Sequence, residues 1–159
     1  MGVAVILALV LSACSSSTPE PKDPTMDLAE AKTLTQSGER DIAALVPEAN
    51  AGTVTVKEMS GAIQPCEGGY TWPGLLTMPV TGSVDRAAIL ASVATEWSGK
   101  SGWTVEQRES SSGSATVRLK SSDGTVHSVS FRYDGTEFHI SSFSPCFDLG
   151  EEYDPGKLY

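Results

Sequence analysis

Two helical stripes and a run of alternating segments dominate the hydrophobic pattern of this chain. Leu28, Ala31, Thr35, Gly38, Ile42 and Leu45 recur at steps of three and four, with Leu34 and Val46 widening the stripe, until Pro47 stops it. Asp23 and Pro24 supply an N-cap and a first-turn proline, so the spacing predicts an amphipathic helix of about five turns. Glu30, Lys32, Glu39, Arg40 and Asp41 then fall on a solvated face. A second helix is expected with Ser83 as cap, Asp85 in its first turn, and Gly99 at its end. Its buried stripe reads Ala87, Leu90, Ala91, Ala94 and Trp97, flanked by Ile89 and Val93. Residues 53–59 alternate as a strand with Val54 and Val56 on one side, and 61–66 continue it past a bend.

The rest of the pattern can be tested by strand register, because a meander must keep its apolar residues on one face across every pair. A three-residue Ser111-Ser112-Gly113 loop pairs Val105 with Leu119, Gln107 with Val117, and Glu106 with Arg118. Ser122-Asp123-Gly124 used the same way pairs Val117 with Val129, Leu119 with His127 and Ala115 with Phe131; a two-residue turn there would mix the faces. Asp134-Gly135 as a two-residue turn pairs Tyr133 with Thr136, Phe131 with Phe138, Val129 with Ile140, and Arg132 with Glu137. Three independent turns thus give one apolar and one charged face. The expected fold is α+β, an antiparallel sheet with a C-terminal four-stranded meander and two helices packed on one face.

Residues 67–80 follow neither period. They are rich in aromatic residues and turn formers, and an extended segment presenting Tyr70, Trp72, Leu75 and Met78 is the candidate surface for a ligand or partner. The competing reading has Trp72 and Leu76 capping the core beneath a strand.

At the other end, residues 1–13 form a short apolar run without Lys or Arg, too short to span a bilayer as a helix, which takes about 20 residues. Leu11-Ser12-Ala13-Cys14 closes it and has the form of a bacterial lipobox, which would put a diacylglyceryl group on Cys14 and the rest of the chain outside the cytoplasm, anchored to the membrane. The missing basic residues place the expected translation start upstream. Residues 14–23 read as a Ser/Pro-rich tether, 24–147 as a single domain and 148–159 as a solvated acidic tail whose spacing matches no EF-hand. With Cys14 given to lipid, Cys66 and Cys146 remain as a disulfide pair in an oxidising compartment, worth roughly 4–5 kcal/mol in the chain-entropy model. A metal or redox pair would need closer spacing or neighbouring histidines.

Composition narrows the function classes. The chain has 159 residues with a net charge of −9, which argues against nucleic-acid binding. Of its two histidines, the register sends His127 inward and His139 outward, so they do not share a metal. No G-x-S-x-G, H-E-x-x-H, P-loop or G-x-G-x-x-G occurs, and no catalytic residue, cofactor or metal is expected.

The order of lipobox, polar spacer, helix, strand ending at Cys66, capped helix, meander and the I-S-x-x-S-P-C-F ending at Ile140 to Phe147 resembles the small envelope lipoproteins of actinobacteria, including the mycobacterial LppA type. That resemblance implies envelope anchoring and an α+β domain; the family has no established activity to carry over. The expectation is a tethered, non-catalytic domain binding an envelope protein or a small apolar ligand. An envelope hydrolase, an inhibitor and a lipid carrier are the alternatives.

Intact mass of membrane-extracted protein is expected to show a mature chain beginning at lipid-modified Cys14. Cys14→Ser should leave the chain unprocessed or release it from the membrane; a fully processed, membrane-bound variant would refute the anchor.

Overall fold

In a computed structural model of the chain, residues 26–58, 63–109, 114–150, 154 and 159 are described. Helix α1 spans Leu28–Ala43 and α2 Arg86–Ser98. The strands are β1 Thr55–Glu58, β2 Gln64–Cys66, β3 Gly69–Thr71, β4 Pro73–Pro79, β5 Trp103–Glu109, β6 Ala115–Ser121, β7 Val126–Arg132 and β8 Glu137–Phe143. Six of them form one antiparallel sheet in the order β1-β4-β8-β7-β6-β5, and β2 and β3 pair in a separate ribbon.

The predicted meander is present with its register. Val105 faces Leu119, Val117 faces Val129, Leu119 faces His127, and Val129 faces Ile140. Ser122-Asp123-Gly124 is the three-residue loop expected, with Gly124 at φ 99° and Ser121 N–H donating to Thr125 O at 2.9 Å. The Asp134-Gly135 turn keeps both central residues at positive φ, 56° and 88°, the handedness that matches strand twist. The loop at 111–113 lies outside the described residues.

Both helices cover the same face. Ile42, Ala43 and Val46 from the α1 end and Ile89, Leu90, Val93, Ala94 and Trp97 from α2 pack with Leu76, Met78, Val117, Leu119, Val129, Phe138 and Ile140 in one core. Helix α1 lies over β4 and β8, and α2 over β5 and β6.

Several local expectations shift. Asp23-Pro24 lies outside the described residues; α1 is capped instead by Asp27, whose carboxylate accepts from Glu30 N–H at 2.8 Å. Asp85, not Ser83, caps α2, because its carboxylate reaches Ala88 N–H at 3.0 Å. Ala87 and Ala91 are exposed. The larger Ile89 and Val93 gain more from burial and set the rotation of α2. Residues 64–66 do not continue β1: β1 pairs with β4, while β2 folds back on β3.

A second, smaller core closes the far end. Ala31, Trp72 and Phe147 are fully buried together, with Met26, Leu28, Ile63, Tyr70 and Leu149 around them. Here Tyr70 and Phe147 exchange backbone hydrogen bonds at 2.9 and 2.8 Å, and a Cys66–Cys146 disulfide joins the ribbon to the segment after β8 with Cα atoms 6.2 Å apart. Beyond Phe147, Leu149 packs against this core and Tyr159 is buried, while Asp148 and Asp154 are exposed.

Nonreducing peptide mapping should join Cys66 to Cys146. Replacing both with Ser is expected to cost roughly 2–5 kcal/mol in urea unfolding; an unchanged midpoint would remove the cross-link from the stability of this end.

Candidate functional site

The structure buries Trp72 and Met78 of the sequence-derived surface and leaves Tyr70 and Leu75 partly exposed. Residues 69–79 form β3 and β4, and β4 lies inside the sheet between β1 and β8. Trp72 and Met78 are 0% and 1% exposed, and Leu75 and Tyr70 are half-buried. The reason is its place in the sheet: Leu76 and Met78 face the helices, while Leu75 and Thr77 sit half-buried on the other face between β1 and β8. Cys14 lies outside the described residues, and Cys66 and Cys146 form the disulfide.

The structure gathers a different set of polar residues beneath α1. Glu39, assigned to the solvated face by its charge, is 0% exposed. It enters the sheet above Gly74, where a Cβ would stand 2.6 Å from Glu39 Oε1. One residue earlier, Gly38 lies over His127, where a Cβ would stand 2.6 Å from His127 Nε2. Glycine in mid-helix costs about 1 kcal/mol relative to alanine, and here the close approach of the imidazole requires it. Between the two, Ser142 Oγ and His127 Nδ1 share a hydrogen bond of 2.7 Å. Ser142 also favours the ionised carboxylate of Glu39, although neither Glu39 oxygen has a partner at hydrogen-bond geometry.

Burial pushes the Glu39 carboxyl up to about 7, against the weaker pull of Ser142 and Arg40. Burial also pushes His127 down to about 4, against the opposing charge of Asp123. Asp123 moves the other way. Its own burial works against the charge, but hydrogen bonds from the Ser121 hydroxyl and from the Thr125 backbone (2.9 Å) and hydroxyl (2.8 Å) hold its carboxyl below the ordinary value.

His127 sits in an aromatic box. Its ring stacks on Trp103 at 5.8 Å between centroids and 16° between planes, and meets Trp97 edge-on at 5.8 Å. Trp97 and Trp103 meet at 4.3 Å, 79°. A cleft of about 220 Å³ opens here, lined by Ser37, Gly38 and Asp41 of α1, Trp97 and Lys100 at the end of α2, Trp103 of β5, and Asp123, Thr125 and His127. His127 Nε2 is buried against Gly38 and has no hydrogen-bond partner. The volume lies below the ~300–1,000 Å³ usual for drug-sized ligands, which suits a small molecule.

Two other hollows lack such convergence. One of about 740 Å³ lies at the Tyr133–Gly135 turn, where Arg86 already donates to Asp134 O at 2.8 Å. Another of about 580 Å³ is an apolar groove along Ala43, Ala44, Val46, Val54 and Val56. On the opposite sheet face, His139 is kept well apart from His127, as the register requires. Among the described residues no group of three or more His, Cys, Asp or Glu is placed to hold a metal ion.

Ser142 does not form the arrangement of an activated nucleophile. It is 1% exposed, and its hydroxyl is engaged with His127 Nδ1 at 2.7 Å. What the set does is line a small aromatic-walled cleft with the His127 ring and the charged Asp41, Lys100 and Asp123. Sequence reasoning found His127 on the inner face but missed Glu39. The available hint was Gly38 beside it, a glycine in the buried stripe of a helix.

No family model matches this chain, and no curated protein matches it. Among solved structures it is similar to a DUF4853 family protein from Actinomyces odontolyticus, at 15% identity and a TM-score of 0.49, covering 87% of this chain and 78% of that one.

The two shifted groups give opposing pH dependences. Glu39 is raised from 4.5 to about 7, so its contribution to stability is full below 4.5 and is lost as pH rises to about 7. His127 is lowered from 6.5 to about 4, so its contribution is full above 6.5 and is lost as pH falls toward 4. Between these limits they cancel. Glu39→Gln should therefore make stability rise with pH up to 6.5, by at most about 1.4 kcal/mol per pH unit, while His127→Gln should make it fall toward pH 7. Urea midpoints across this range check both; a wild-type slope left unchanged by either substitution refutes the burial of that group.

Proposed function

We propose that this chain is a lipid-anchored, extracytoplasmic domain of the cell envelope that binds a small ligand without catalysing a reaction on it. The observation that carries the binding reading is a cleft of about 220 Å³ walled by Trp97 and Trp103, at whose rim the charged groups of Asp41, Lys100 and Asp123 converge. The anchoring half rests on the Leu11–Cys14 motif and the Ser/Pro-rich stretch after it. The burial of Ser142, which is 1% exposed, supports binding over hydrolysis.

A fragment screen read by the indole N–H resonances checks this. Ligands are expected to move the Trp97 and Trp103 signals and leave Trp72 in place, because Trp72 belongs to the other core. Ser37→Tyr, at the exposed rim of the cleft, should abolish the shifts without changing the fold. Ester or amide turnover that disappears in Ser142→Ala would replace this reading with a hydrolase.

A further inference from the structure

Both helices pack on one face of the six-stranded sheet and leave the other without a helical layer. Side chains alternate between the faces, so the register fixes what stands there. Lys57 of β1, Arg132 of β7, Arg118 and Lys120 of β6, and Arg108 of β5 are directed to the uncovered face, and all five are exposed. Only two carboxylates, Glu106 and Glu137, share it among the described strand residues. The face thus carries a net charge of +3 in a chain whose total is −9. The other described carboxylates lie on the helices, in turns and at strand ends. Glu106 is engaged with Arg108 at 2.6 Å; Lys57, Arg118, Lys120 and Arg132 have no ion pair among the described residues. Ser128, Ser130 and Ser141 floor the middle of the face with short hydroxyl side chains, above which the longer arginines and lysines stand.

We propose that this face docks on an anionic lipid surface, with headgroup phosphates among the five cations and the serine hydroxyls beneath them as further donors. The proposal rests on the reading of the chain as lipid-anchored, and it names the side of the domain that meets the membrane. The chain between Cys14 and Met26 can span at most about 40 Å, more than the roughly 20 Å of a sheet and one helix layer, so an anchor at Cys14 lets this side face the bilayer. The cations extend from edge strand β1 to edge strand β5, about 25 Å apart, and no groove aligns them. Such breadth matches a charged plane better than a single polymer strand.

Distance lets the face prevail over the charge of the whole chain. Attraction to a charged plane is screened over about 10 Å at 0.1 M salt, and the carboxylates of α1 and α2 lie a helix layer, about 10 Å, beyond the sheet. The cations nearest the plane act at close to full strength, each raising affinity roughly fivefold, while the acidic helices add little repulsion. The same range makes close contact unnecessary. Cations at both edges therefore act together despite the twist of the sheet.

Co-sedimentation of the full Cys14→Ser chain, which cannot be acylated, with vesicles of phosphatidylcholine alone or mixed in equal parts with phosphatidylglycerol tests this. The anionic vesicles should bind it at least about tenfold more tightly at about 0.1 M salt, and the difference should vanish at about 1 M. Arg118→Gln combined with Lys120→Gln should weaken binding to the anionic vesicles roughly 25-fold, while Arg40→Gln, on α1 across the sheet, should leave it unchanged. Unchanged urea midpoints show that these variants are folded. Equal binding to both vesicles, no loss in the double variant, or an equal loss in Arg40→Gln overturns the proposal. Self-association that the double variant abolishes, in place of vesicle binding, makes a second copy the occupant and overturns it. Capture of dextran sulfate without capture of vesicles makes the occupant an acidic polymer and overturns it as well. Each of these failures leaves the anchor itself to be decided by the mass of the mature chain at Cys14.

Discussion

The docking of α1 onto the sheet depends on a reciprocal exchange between glycines and polar side chains. Gly38 of the helix makes room for His127 of the sheet, and Gly74 of the sheet makes room for Glu39 of the helix. Each side chain would clash with a Cβ at the facing position, so the two contacts fix both the rotation of the helix and its height along β4. Apolar packing is non-directional and tolerates small slips; buried polar groups fitted into glycine notches do not. The helix is thereby held with its first turns over the Trp72–Phe147 core and its last turns over the main one.

The same arrangement creates the cleft. With α1 set at this height, Gly38 covers the Nε2 edge of His127, and the aromatic pair at the junction of α2 and β5 lies beside the ring at the cleft. The burial that drives Glu39 upward and His127 downward follows from the docking itself, not from any added charge. A domain selected for stability alone would gain by replacing these groups with apolar side chains of similar volume.

The two ends of the sheet are secured differently. The β5–β8 meander holds itself together through short local turns and one apolar face. The opposite end depends on distant contacts: β4 inserts between β1 and β8, and the β2–β3 ribbon is fastened to the segment after β8 by backbone pairing and by Cys66–Cys146. Long loops are expensive to close, so a covalent link has most to offer where sequence separation is greatest.

This contrast separates what the sequence determined from what the tertiary structure decided. Turn residues and two-residue alternation act between neighbours in the chain, so the meander register could be read down to Glu106 opposite Arg118 and Arg132 opposite Glu137. The α+β class and the common face of the two helices followed from the same periodicities. Strand β4 could not be read this way, because its partner β8 lies far along the chain and its prolines imitate a loop. Glu39 was assigned to solvent because charge is nearly always solvated. Only the approach of Gly74 and Ser142, more than thirty and about one hundred residues away in the chain, buries it. Local periodicity thus set the elements and the register of neighbouring strands, while the cleft at His127 exists only where four separate elements meet.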